Sequence, residues 1–166
     1  MLDALWDRLF DRMLEAVARP VAARAAATAL ALAAFLLGLA ALPLIVLNFA
    51  LAGWGLFALS RLLAAIAGRG GEGPLNAVFN AVNFAGLPMA FALADPSHAL
   101  AAVFLMFALA AQSAAVLKLE RCLVGNTELL IAFALACAFP EYFAVVAYVT
   151  GVLCFIAAGV AAARRR

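Results

Sequence analysis

Charge is scarce in this chain, and where it is missing matters most. Charged residues make up 12% of 166 positions, and none falls between Ala25 and Ser60. A soluble domain of this size, about a quarter charged, is excluded by that gap. There is a single histidine, His98, and the three cysteines, Cys122, Cys137 and Cys154, are scattered with no C-x-x-C pair. Zinc sites and disulfide frameworks need closer spacings, so the cysteines read as small buried apolar side chains. His98, alone in a loop, reads as solvated and not as a ligand. A net charge of +2 is too small to point to nucleic acid, and the basic residues sit beside apolar spans instead of lining a groove. The N-terminus lacks the charged start, short apolar core and small-residue cleavage site of a signal peptide, so the first helices are expected to be retained.

What the chain has in abundance is apolar sequence: 70% of its residues are hydrophobic and the mean hydropathy is +1.15. It reads as an integral membrane protein with one compact helical domain. The expected fold is all-α, a polytopic bundle of six transmembrane helices in residues 21–166, preceded by an amphipathic interfacial helix in residues 1–20. In that first segment Leu2, Leu5, Trp6, Leu9, Phe10, Met13, Leu14 and Val17 recur at helical spacing, opposite Asp3, Asp7, Arg8, Asp11, Arg12 and Glu15.

The uncharged run is too long for one span of about 20 residues and suits two. Pro43 and Asn48 mark the turn between them, giving helices over 25–46 and 49–67. A third is expected over 74–94, stopped by Asp95-Pro96, because proline disfavours the helical region in the residue before it. A fourth covers 99–117. The fifth starts at Thr127-Glu128, where threonine caps and glutamate suits the positive helix start, and stops at Phe139-Pro140. The sixth covers 142–163. With the N-terminus inside, every lysine and arginine falls on the cytosolic side, and the opposite loops hold Asp95, His98 and Glu141. The positive-inside rule therefore places both termini in the cytoplasm.

One stretch is organised differently. From Ser60 to Val82 the sequence SRLLAAIAGRGGEGPLNAVFNAV closes one helix at Gly68, turns through Gly70, Gly71 and Gly73, and opens another at Pro74. The second helix carries Asn76, Asn80 and Asn83 at i, i+4 and i+7, on one face. Amides at that depth need partners, and interhelical hydrogen bonds are the simplest role for them. Arg61, near the end of the first helix, can snorkel to the interface, pair with Glu72, or hold a lipid phosphate together with Arg69 and the glycine-loop amides.

This arrangement resembles the CDP-alcohol phosphatidyltransferases, membrane enzymes with the pattern D-x2-D-G-x2-A-R-x8,9-G-x3-D-x3-D. The aspartate positions fall on Ala64, Ala67, Asn76 and Asn80, with Gly68 on the first glycine, and only Arg69 to Leu75 separate Gly68 from Asn76. The segments Asn83–Phe104 and Gly125–Gly159 also resemble the later helices of a bacterial subgroup. In the family the four aspartates hold divalent metal against the diphosphate of a CDP-linked lipid, and the last acts as base. Alanine supplies no ligand and an amide no basic lone pair, so the resemblance implies a catalytically silent relative in phospholipid biosynthesis that acts by lipid or partner binding. No cofactor is expected. The alternative is an active phosphatidyltransferase that uses Glu72 or Glu120 with magnesium or manganese. The family's dimers, and the small residues Gly38, Gly151 and Gly159, imply a homodimer or a heterodimer with an active relative.

Overall fold

The computed structural model describes residues 24–69, 74–116 and 126–163. The expected interfacial helix of residues 1–20, the glycine turn with Glu72, the Lys118–Arg121 loop with Cys122, and the arginine tail lie outside the described residues. Among the described residues six α-helices follow one another: α1 (Arg24–Val46), α2 (Ala50–Arg69), α3 (Pro74–Ala94), α4 (Ala99–Val116), α5 (Asn126–Ala138) and α6 (Phe143–Ala163). One-turn 3₁₀ segments, Pro96–His98 and Pro140–Tyr142, join α3 to α4 and α5 to α6. No strand occurs among the described residues. Among the described residues four stretches are long and apolar enough to cross a membrane: Ala27–Val46, Ala50–Gly68, Pro96–Ser113 and Pro140–Ala163.

The α1–α2 turn lies where it is expected, between Val46 and Ala50. Pro43 sits inside α1, which runs on to Val46. The stop is made by Asn48, whose φ of 64° is left-handed. Asn48 N–H donates to Ile45 O at 3.0 Å and Phe49 N–H to Leu44 O at 2.8 Å, the pair of bonds that closes a Schellman motif with asparagine at the left-handed position. Pro43 removes one donor, and the carbonyls after it are still capped. The Asp95-Pro96 stop stands where it is expected: α3 ends at Ala94, and Asp95 Oδ1 accepts from Ser97 N–H at 2.9 Å.

Packing closes a circuit. α1 lies against α2 and α3, α3 against α4, α4 against α6, α6 against α5, and α5 returns to α2. Trp54 fastens the last of these, donating Nε1–H to Leu130 O at 3.2 Å. Alanines 34, 41, 102, 108, 136 and 147 are almost wholly buried, so helices approach closely, and aromatic pairs fill the wider gaps. Phe91 stacks on Phe143 at 4.3 Å and Phe57 meets Phe84 edge-on at 5.4 Å. The outward surface is just as apolar, with Leu100 74% and Phe107 69% exposed. A bundle that is hydrophobic on both sides fits lipid and not water.

Candidate functional site

α2 turns one stripe inward: Phe57, Ser60, Arg61, Ala64 and Ala67 recur every three or four residues, and all are buried. The first two motif positions, Ala64 and Ala67, therefore face protein, at 5% and 3% exposure, one and two turns beyond Arg61. On α3 the inward stripe includes Asn83, Phe84, Leu87 and Phe91, with Asn80 half-buried one turn earlier.

Arg61 joins the two stripes. It lies about 12 Å from the C-terminal end of α2, and Asn80 about 9 Å from the start of α3, at 1.5 Å per residue. Its Nη1–H donates to Asn80 Oδ1. Its Nε–H reaches Ser60 Oγ at 3.4 Å, and that hydroxyl donates to Phe57 O at 2.7 Å. The guanidinium carbon is 5.3 Å from the Phe57 ring centroid and 5.4 Å from that of Phe84. Arg61 is 8% exposed, so it packs into the bundle instead of snorkelling along its surface.

The energies explain why a charge is tolerated there. An arginine at membrane depth costs roughly 3 kcal/mol on insertion scales. A hydrogen bond from a charged donor returns about 1.5–3 kcal/mol, and a desolvated cation–π contact about 2 kcal/mol. Asn80 and the two phenylalanines therefore offset much of the cost of holding Arg61 inward. The accounting is incomplete in one place: Arg61 Nη2 is buried without a partner, and so are both Oδ1 and Nδ2 of Asn83. Each such atom carries a penalty of about 1–3 kcal/mol.

Asn83 has no exposed surface and packs its amide on bare backbone of α1. A Cβ added at Gly38 would lie 2.3 Å from Asn83 Nδ2. The three asparagines thus have different roles. Asn80 makes the interhelical hydrogen bond expected of it, Asn83 makes none, and the side chains of Asn76 and Arg69 lie outside the described ones. Of the glycines named for helix association, Gly38 is used against Asn83 and Gly151 against Phe104, while Gly159 has nothing near it.

The sequence reading missed the rings around Arg61, although Phe57 stands four residues before it, the spacing at which helical side chains meet. It also missed Ser60, Gln112 and Thr150 as buried polar groups. His98 is a correction: it is not solvated, with its side chain 12% exposed, its ring 5.3 Å from that of Phe143 and Nε2 3.9 Å from Asp95 Oδ2. Closing the α3–α4 turn over Phe143 covers it. Cys137 and Cys154 are buried and form no disulfide, as expected of apolar cysteines. Among the described residues no group of three His, Cys, Asp or Glu side chains comes together. Compared with known proteins, the chain matches no family model, no curated protein and no solved structure.

Proposed function

We propose that this chain is a six-span inner-membrane protein with the architecture of the CDP-alcohol phosphatidyltransferases, and that it binds lipid without carrying out the transfer. One observation carries the reading. The motif positions Ala64 and Ala67 are methyl groups packed into the α2 stripe, and the amide oxygen of Asn80 is already taken by Arg61. A divalent ion between α2 and α3 needs anionic oxygen, and these positions offer a cation instead. α3, with 21 residues, is about 31 Å long and matches a hydrocarbon core of about 30 Å. α5, with 13 residues, is about 20 Å long, shorter than that core.

The test is CMP release. Purified protein given CDP-diacylglycerol with glycerol phosphate, inositol phosphate or serine, in magnesium or manganese, releases no CMP above a protein-free control. Release that a chelator abolishes establishes the active enzyme instead. Restoring aspartate at Ala64, Ala67, Asn76 and Asn80 does not rescue transfer, because the short Arg69–Leu75 connection sets a different register between the two helices.

A further inference from the structure

We propose that the α1–α2 turn, Leu47 to Phe49, is seated at the acyl–headgroup boundary of the bilayer and takes phospholipid as its partner, while the α3–α4 turn at the same end of the bundle reaches water. The proposal requires only that the bundle lies in a bilayer. It is independent of the catalytic silence and of which face is outside.

The depth of the turn comes from the packing of α1 on α3. Three contacts set the register: the Phe35 ring stacks on that of Phe79 at 4.4 Å, Gly38 lies against the Asn83 amide, and a Cβ added at Gly86 would lie 2.7 Å from Leu42 Cδ1. Each pairs a residue of α1 with one 44 or 45 positions later on α3, so the two helices run parallel at a constant offset. That offset puts Val46, the last residue of α1, level with Ala90 and Phe91, three or four residues short of the end of α3 at Ala94. At 1.5 Å per residue the α1–α2 turn therefore lies about 5 Å deeper than the turn at Asp95. α1 is not the shorter helix, having 23 residues to the 21 of α3; it is displaced toward the opposite, basic end.

The chemistry of the turn suits that depth. Leu47 and Phe49 are 64% and 63% exposed and lead into exposed Leu51, so the tip continues the lipid-facing surface of the bundle. No charged residue lies between Ala25 and Ser60. The N–H groups of Leu47, Asn48 and Phe49 all donate to carbonyls at the end of α1, those of Pro43, Ile45 and Leu44, which suits a medium poor in water. The α3–α4 turn is closed differently. There the exposed carboxyl of Asp95 accepts from Ser97 N–H, and a carboxylate needs water around it. At the α1–α2 tip Asn48 is exposed, and its amide donors suit the ester carbonyls found at the acyl–headgroup boundary.

The full chain, with its native cysteines replaced by alanine, carries a bimane label at Leu47→Cys or at Ser97→Cys and is placed in phosphatidylcholine discs, where solvent reaches both faces. Bimane at 47 emits to the blue of bimane at 97 and is quenched by phosphatidylcholine brominated near the top of its acyl chains. Its quenching by aqueous iodide is about fivefold weaker than at 97, because the anion is excluded from apolar surroundings. Phe49→Cys gives the same result and serves if the Leu47 variant folds poorly. Iodide quenching as strong at 47 as at 97 overturns the proposal, as does brominated-lipid quenching as strong at 97 as at 47. Shielding of 47 from both quenchers overturns it too, because the tip is then covered by protein. CMP release in the same discs would overturn the catalytic silence and leave this surface standing.

Discussion

Asn80 is the residue on which the α2–α3 contact turns, because it accepts from a guanidinium with no carboxylate beside it among the described residues. Asn80→Ala leaves Nη1 buried and unpaired and costs about 1–3 kcal/mol, read by reversible unfolding in detergent mixtures. Phe57→Leu costs less, about 1–2 kcal/mol, and a double-mutant cycle with Arg61→Met isolates the cation–π share. A stability unchanged by Asn80→Ala would mean that Arg61 is held by its rings alone. Gly38→Ala is the sharper test of the neighbouring contact: its new methyl meets the Asn83 amide and destabilises by about 1–3 kcal/mol. Pairing it with Asn83→Ala restores most of the loss, because the second change removes the atoms the methyl strikes. If the double variant is no better than the single, Gly38 matters for another reason.

The helix stops are set by local chemistry that can be titrated. Asp95 caps the 3₁₀ turn, and its carboxyl is held below the usual carboxylate range, first by the Ser97 N–H and then by the Ser97 side chain. A carboxyl whose folded pKa is depressed stabilises the fold at pH above its unfolded value, and that stability is lost as pH falls through the folded value. The thermal midpoint of wild type therefore falls between about pH 5 and the acid limit more steeply than that of Asp95→Asn, which keeps the acceptor and does not titrate. Parallel pH profiles for the two proteins would remove Asp95 from the account. Asn48 is the other stop, and Asn48→Gly is tolerated while Asn48→Val strains the left-handed turn, a difference visible in the same unfolding measurement.

Across the whole molecule, polarity is unevenly spread. Among the described residues, the buried polar side chains Ser60, Arg61, Asn83 and Gln112 lie in the half of the bundle toward which α2 and α4 run, and Thr150 lies in the other. That half is also the basic one in sequence, so the proposed topology puts it at the cytosol. With the native cysteines replaced, a cysteine at Ser97 is labelled by an impermeant reagent from outside intact cells. Labelling only after the inner face is opened would reverse the topology and put the Arg61 site at the outer surface. Association is the weaker whole-molecule reading, since of the three glycines named for it Gly38 and Gly151 are consumed by contacts within the chain and Gly159 remains open.

The division between what sequence and tertiary structure decide follows from the range of the forces. Helix limits were legible to within a residue or two, because proline, glycine and capping residues act on their own neighbours and the apolar runs between them are long. The face on which Arg61 and the motif positions Ala64 and Ala67 lie was legible too, since helical period alone fixes it. Of the two residues that mark the first turn, Asn48 makes the stop by adopting the left-handed conformation, and Pro43 is accommodated inside α1 at the loss of one donor. What no pattern in the chain contains is which helices touch. That α1 brings Gly38 to Asn83, that α3 brings Phe84 and Asn80 to Arg61, and that α5 hangs on Trp54 are results of packing all six helices at once. Apolar surface is nearly uniform around each helix, so periodicity cannot choose partners, and the choice falls to small residues, ring shapes and a few buried polar groups that meet only when the bundle closes.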